Sequence, residues 1–322
     1  MKKSKRKKIF LVTGGAGFIG SHLCEKLINL GHKVICFDNL STGNLKNLVA
    51  IKEKSNFIFI KGDANQIRDI SQVFKEYKLN GVFHYAAVVG VKRTIENPLA
   101  VFSDIEGIKN ILELALKYNK PKIIFSSSSE VYGEPHELPE KEEGSINPKI
   151  SYALVKLVGE KFLEAYHQKY ELKTCALRFF NVYGPRQEGG GYGFVAGIFI
   201  RRVLEDLSPV IFGDGSQTRD FTYIDDNIEA SWRAMNLDKA NGKVINIGTG
   251  RPLTIFDLAT RIIKLCGSEG EIQPKIVKNR RTDVKHRFPE IGKMIKILNF
   301  YPKISLEEGL KKTIEWYREK YA

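Results

Sequence analysis

Tyr152 and Lys156 stand four residues apart in SYALVK (151–156), a spacing that puts both on one face of a helix. A lysine ammonium beside a tyrosine favours the phenolate, drawing a pKa of about 10 toward the working range. Such a phenolate can take a proton from an alcohol while hydride leaves the same carbon. The pair then needs a group to hold the alcohol and a hydride acceptor. SSSSEVYGEP (126–135) offers the first. It follows the strand-like PKIIF (121–125) and closes on glycine and proline. Four serines and a glutamate at the mouth of a strand are poor core residues, which singles out Ser128 and Glu130.

The hydride acceptor has its own signature. TGGAGFIG (13–20) follows a strand-like run and opens a helix-period segment. Gly15, Gly17 and Gly20 keep the Gly-x-Gly-x-x-Gly spacing, and Gly14, Gly17 and Gly20 keep a looser one. Small residues let the backbone approach a pyrophosphate, and the helix start, with Phe18 and Ile19, supplies amide donors and a positive dipole. Asp38 ends the second strand, 18 residues beyond Gly20, with Asn39 after it. A carboxylate there accepts both ribose hydroxyls and repels a 2′-phosphate, so the expected cofactor is NAD rather than NADP. Asp63 and Ala64 end the third strand, where an adenine ring would lie.

These residues need a scaffold that sets strand ends side by side. KIFLVTG, KVICFD, NFIFIKGD, GVFHYAA and PKIIFSSSS read as short buried strands. Amphipathic stretches such as IGSHLCEKLINLG and PLAVFSDIEGIKNILELALKY lie between them. Strand–helix alternation implies an α/β, Rossmann-type doubly wound parallel sheet with helices on both faces. After about residue 181, loops rich in glycine and proline separate shorter elements. PLTIFDLATRIIKLC and ISLEEGLKKTIEWYREKY read as late helices. The expected organisation is a basic disordered tail (1–8), an NAD-binding domain (9–180) with a return strand near 243–248, and a smaller α/β substrate domain (181–322).

Composition narrows the classes. The chain has 322 residues, 43% hydrophobic and 27% charged, as in ordinary globular proteins. No apolar run nears the roughly 18 residues of a membrane span, so no membrane partner is expected. Cys24, Cys36, Cys175 and Cys266 are scattered without metal-ligand spacing, which predicts reduced thiols, a cytoplasmic protein and no metal. The net charge is +14, of which six charges sit in KKSKRKK (2–8), leaving +8 for the rest. Without interleaved aromatics the tail reads as a solvated extension rather than a nucleic-acid arm. The remaining excess suits diphosphate substrates.

The motifs TGGAGFIG, FDNLSTG, HYAA (84–87), SSSSEVYG, SYALVK, RFFNVYGPRQ, GDGSQTRDFTYIDD (213–226) and NIGTG (246–250) span almost the whole chain. Together they resemble the extended short-chain dehydrogenase/reductases that act on nucleotide sugars. The resemblance implies that Ser128 binds the sugar 4-hydroxyl, Tyr152 is the base, and Lys156 assists it and holds the nicotinamide ribose. It also implies that Asn181, Arg219 and Arg280 contact the nucleotide diphosphate or its ribose, and that two copies pair through helices near 97–119 and 151–170. The family often has an asparagine where DIEG (104–107) has Asp104.

Which branch the chain resembles turns on Glu130. The dehydratase branch has an acid where Ser129 stands here. Relatives that decarboxylate UDP-glucuronate carry a glutamate at the position of Glu130 and pair it with an arginine that falls on Arg287, in DVKHRFPEI (283–291). A guanidinium can hold a substrate carboxylate bidentately. FDNLSTG, the loop GPRQEGGGYGFVAGIFI (184–200) and the serine run instead look like UDP-hexose 4-epimerases. The expectation is a UDP-sugar 4-epimerase with bound NAD, with the decarboxylase using Glu130 and Arg287 as its first alternative and a sugar-nucleotide dehydratase as its second.

Overall fold

The computed structural model describes residues 7–190, 193–278 and 284–321, so residues 1–6 of the basic tail lie outside it. The chain opens with β1 (Ile9–Thr13), α1 (Phe18–Asn29), β2 (Lys33–Asp38), β3 (Phe57–Lys61), α2 (Ile67–Glu76) and β4 (Gly81–His84). Next come α3 (Val91–Glu96), α4 (Pro98–Phe102), α5 (Asp104–Lys117), β5 (Lys122–Ser128), α6 (Ser151–Tyr170) and β6 (Thr174–Phe179). They are followed by β7 (Asn181–Tyr183), α7 (Val195–Leu204), β8 (Val210–Phe212), β9 (Thr218–Tyr223), α8 (Ile224–Asn236) and β10 (Lys243–Ile247). The chain ends with β11 (Pro252–Thr254), α9 (Ile255–Cys266), β12 (Lys275–Val277), β13 (His286–Arg287), α10 (Gly292–Leu298) and α11 (Leu306–Tyr321).

Seven parallel strands form the main sheet in the order β3-β2-β1-β4-β5-β6-β10. Both faces are covered, which is why these strands read as apolar runs without alternation. Phe10, Val12, Val34 and Cys36 face α1 and α8, while Leu11, Ile35 and Phe37 face α2, α5 and α6. Strand order reverses between β1 and β4, and a doubly wound sheet opens its ligand crevice at the carboxyl ends beside that reversal. The segment VINIG runs as β10 along β6. Around β9 gather β7, β11 and β13, while β8 pairs with β12.

Two expected helices differ in detail. Residues 252–254 form a strand, antiparallel to β9, and α9 starts only after Thr254, whose hydroxyl accepts from the Asp257 amide at 3.0 Å. The long helix expected over 98–118 is broken into α4 and α5 at Ser103, whose hydroxyl donates back to the Ala100 carbonyl at 2.6 Å.

The contact that positions the site is the seat of α6 on β5. A side chain at Gly159 would meet the Phe125 ring at 2.5 Å, so glycine is needed for this approach. The next residue, Glu160, accepts from Ser127 Oγ at 2.5 Å and from Arg178 Nε and Nη2 at 2.9 and 2.7 Å. Arg178 and Glu160 are 2% and 3% exposed, and the Arg178 guanidinium lies 4.7 Å over the Tyr132 ring. Removing one member of such a pair strands a buried charge. Arg178→Met is therefore expected to destabilise the protein by about 3–5 kcal/mol in urea unfolding.

Candidate active site

The glycine loop between β1 and α1 packs without room for side chains. Gly14 has φ +68°, and a Cβ on it would lie 2.7 Å from the Ala86 amide nitrogen; one on Gly20 would lie 2.2 Å from the Gly14 carbonyl. Gly17 faces open space apart from the Gly14 carbonyl at 3.2 Å. It starts α1 with no side-chain cap and no acid in the first turn, so the amides beside Phe18 and Ile19 are available to a phosphate. Asp38, buried at the end of β2, accepts from the amides of Ala16 at 2.9 Å and Leu40 at 2.8 Å. Burial pushes its carboxyl up and these two amides draw it down. Two hydrogen bonds leave lone pairs for ribose hydroxyls. Asn39 donates to Asp63 at 3.2 Å, and Ala64 is buried beside it. An uncapped helix start, a glycine cradle and a carboxylate at the end of β2 fit NAD.

At the end of β5, the residues singled out in the serine run and in α6 come together. Ser128 Oγ accepts from the Glu130 amide at 3.2 Å. Lys156 is fully enclosed, with Nζ 3.4 Å from Ser126 Oγ, 4.8 Å over the Phe125 ring and 5.4 Å over the Tyr152 ring. Burial lowers its pKa to about 8, with Asp104 opposing, so it remains cationic at neutral pH. His84 is pushed to about 3 by burial and by Lys156. It is neutral, bonded through Nδ1 to Thr13 Oγ1 at 2.8 Å.

One expectation needs correction. Tyr152 is not drawn down by Lys156 in the free site: burial raises its phenol, Ser128 in polar reach opposes, and Glu130 and Asp104 add to the rise. The ammonium faces the ring rather than bonding the hydroxyl, so the free site holds a protonated tyrosine.

The residues expected to hold substrate lie on the small sheet. Arg287 pairs in register with Arg219, and Asn181 with Phe221, across β9. Arg219 donates to the Thr218 carbonyl at 2.8 Å. Arg287, 3% exposed, forms an ion pair with Glu130 and donates to the Gly133 carbonyl at 3.1 Å. Arg280 lies outside the described residues. Among the described residues no cluster of His, Cys, Asp and Glu could hold a metal, and no helix is long and apolar enough to cross a membrane.

Three further residues matter. Asp104 accepts from the Val88 amide at 2.7 Å and from Asn65 at 3.4 Å, tying the loop after β4 to that after β3. Its departure from the family pattern was the sequence signal. Asp220 holds the NIGTG loop, accepting from the Thr249 amide, the Thr249 hydroxyl and the Arg251 amide at 2.8, 2.7 and 2.9 Å. Glu140 is buried near Arg287; no spacing in the sequence marks either of these last two.

With a dinucleotide cradle and a serine–tyrosine–lysine cluster at the carboxyl ends of the central strands, this is a nucleotide-dependent oxidoreductase-type site. The chain belongs to the NAD dependent epimerase/dehydratase family, whose model matches residues 10–248. It is an enzyme of the nucleotide-sugar epimerase/dehydratase group, and its cofactor is NAD. It is 37% identical to the UDP-N-acetyl-alpha-D-glucosaminuronate decarboxylase of Bacillus cytotoxicus, over 97% of this chain and 98% of that protein. It is 35% identical to the UDP-glucose 4-epimerase of Mycolicibacterium smegmatis, over 96% and 98%. The crystal structure of UDP-glucose 4-epimerase with UDP-glucose from Thermotoga maritima superposes with a TM-score of 0.92 at 37% identity, covering 98% of this chain and all of that one.

Because a Cβ on Gly20 would collide with backbone, Gly20→Ala is expected to weaken NAD retention roughly tenfold or more. Measuring NAD released from the purified, denatured variant checks this.

Proposed function

We propose that the chain is a UDP-hexose 4-epimerase that works through a transient 4-keto sugar. The observation that carries this reading is Arg287. Its guanidinium is buried and already bonded to Glu130 and to the Gly133 carbonyl, so it does not lie open to a sugar carboxylate. Ser129, buried and uncharged, stands where a dehydratase would need an acid. The epimerases among the similar proteins support the same reading.

When bound in the cradle of Gly14, Gly17, Gly20 and Asp38, NAD would supply a reversible hydride acceptor for carbon 4 of the sugar. Tyr152 takes the proton of the 4-hydroxyl and gives it back after the keto sugar has turned over. Burial holds its phenol protonated, and the cationic Lys156, 5.4 Å from the ring centroid, would favour the phenolate once substrate and NAD are bound. Ser128, fixed by the Glu130 amide, holds the sugar oxygen in line with Tyr152. Asn181, Arg219 and Arg280 hold the diphosphate and its ribose, fixing the distance between nucleotide and sugar. Exposed Leu99, Phe102 and Leu154 on α4 and α6 supply an apolar face for pairing two copies.

Decarboxylation of a UDP-uronate is the second reading, favoured by the Glu130–Arg287 pair itself and by the decarboxylase among the similar proteins. Proton NMR of the NAD-loaded enzyme separates the two. A galacto-form signal growing from UDP-glucose or UDP-GlcNAc supports the epimerase. UDP-xylose or a 4-keto pentose from UDP-glucuronate, with both hexoses untouched, overturns it. Tyr152→Phe is expected to lower kcat by about 10²–10⁴ with NAD content unchanged. An unaltered rate would remove Tyr152 from the mechanism.

A further inference from the structure

Glu140 has no part in the site as derived above. In the sequence it is one acid among several in ELPEKEE (137–143), where solvated surface is the natural expectation. Instead it is 3% exposed. Its backbone is clamped to the segment just beyond β13: its amide donates to the Phe288 carbonyl at 3.0 Å and its carbonyl accepts from the Glu290 amide at 2.8 Å. The carboxyl is enclosed, and neither oxygen has a hydrogen-bond partner among the described residues. Arg287 Nε is likewise buried and without a partner. Leaving a buried carboxyl and a guanidinium nitrogen unbonded at one place is unfavourable, and such groups call for a functional explanation.

The charged groups facing Glu140 are Arg287, Glu130, Arg219 and Arg178. Arg178 is committed to Glu160, and Arg219 donates to the Thr218 carbonyl. Arg287 is bonded to Glu130, which is 37% exposed in its side chain and stands between the guanidinium and the open side. Glu140 and Arg287 lie deeper.

We propose that Glu140 is a specificity-determining residue of the sugar pocket: together with Glu130 it brackets Arg287, so that a sugar bearing a carboxylate meets a guanidinium that already holds one carboxylate and faces another. A neutral hexose meets no such repulsion. The inference rests on the site being a nucleotide-sugar pocket and deepens that reading by naming the substrate class, a neutral hexose rather than a uronate. It also makes the rejection depend on pH. Burial raises the Glu140 carboxyl from 4.5 to about 8, with Arg287 drawing it down and Glu130 pushing it up. Below that range Glu140 is neutral; above it a second negative charge lies behind Arg287 and weakens the guanidinium's attraction for an incoming anion.

The test compares binding by titration calorimetry of UDP-glucose and UDP-glucuronate to NAD-loaded wild type and Glu140→Gln, at about pH 6.5 and about pH 8.5. Wild type is expected to prefer UDP-glucose, with a preference that widens several-fold toward the higher pH. In Glu140→Gln the preference should be the same at both values, with UDP-glucose affinity within about twofold of wild type. Glu140→Leu, which removes the acid without replacing its polarity, should flatten the preference in the same way. A wild-type preference that ignores pH, or one that widens equally in both variants, overturns the proposal while leaving a nucleotide-sugar site intact. Failure of both sugar nucleotides to bind wild type overturns the site reading and this proposal with it.

Thermal unfolding gives an independent check that Glu140 is the titrating group. Its folded pKa lies above the unfolded value, so its contribution to stability is fully present below about pH 4.5 and is lost as pH rises through about 8. Glu140→Gln is spared that loss. Its Tm relative to wild type should climb between about pH 6 and about pH 9, and a constant difference would mean that the carboxyl does not titrate there.

Discussion

The site depends on how closely one helix can approach one strand. Tyr152, Lys156 and Glu160 recur every four residues along α6 and face the serines that end β5. Ser128 lies in reach of Tyr152, Ser126 lies 3.4 Å from Lys156, and Ser127 bonds Glu160 at 2.5 Å. The buried Glu160–Arg178 pair extends this ladder to β6. Gly159 brings the helix near enough for these contacts, since any side chain there would strike Phe125. A single register between helix and strand therefore sets where a proton can be taken and where the positive charge that helps take it resides. Small hydroxyls suit this seam because each can bond a different partner without adding bulk.

A second seam joins the small sheet to the main one. Glu130 and Gly133, just beyond β5, are both held by Arg287 from β13. The guanidinium is thus a structural clasp between the two sheets. Related enzymes that differ in reaction can share the whole scaffold, because a fold does not fix the reaction and a few side chains in the site can. The second seam gathers Glu130, Glu140 and Arg287, the charged groups on which the proposed sugar selectivity rests. Similarity to both an epimerase and a decarboxylase at nearly equal identity is what that division of labour produces.

Much of this was legible in the sequence because the chemistry lies on regular elements. The glycine loop, Asp38 and Asp63 follow strands whose apolar runs are unmistakable, and the i, i+4 spacing of Tyr152 and Lys156 places both on one helical face. What was not legible came from distance along the chain and from burial. Glu140 reads as surface because its neighbours are acidic, and only the strand-like pairing with Phe288 and Glu290 takes it inside. The same limit applies to Tyr152: adjacency to a lysine suggests a lowered phenol, but enclosure outweighs it in the free enzyme. Pro252–Thr254 looked helical because its apolar residues continue the pattern of α9, whereas a vacant edge of β9 claims it as a strand.

The main sheet is finished by β10, whose residues 243–247 are made long after the other six strands. While the ribosome is still translating the middle of the chain, the edge of β6 has no neighbour, and α8, which packs over the same sheet, does not yet exist. An open strand edge with a bare apolar face is prone to pairing with other chains. The sheet that carries the cofactor cradle is therefore closed by a strand drawn from beyond Arg219 in the chain, while Arg287 follows later still.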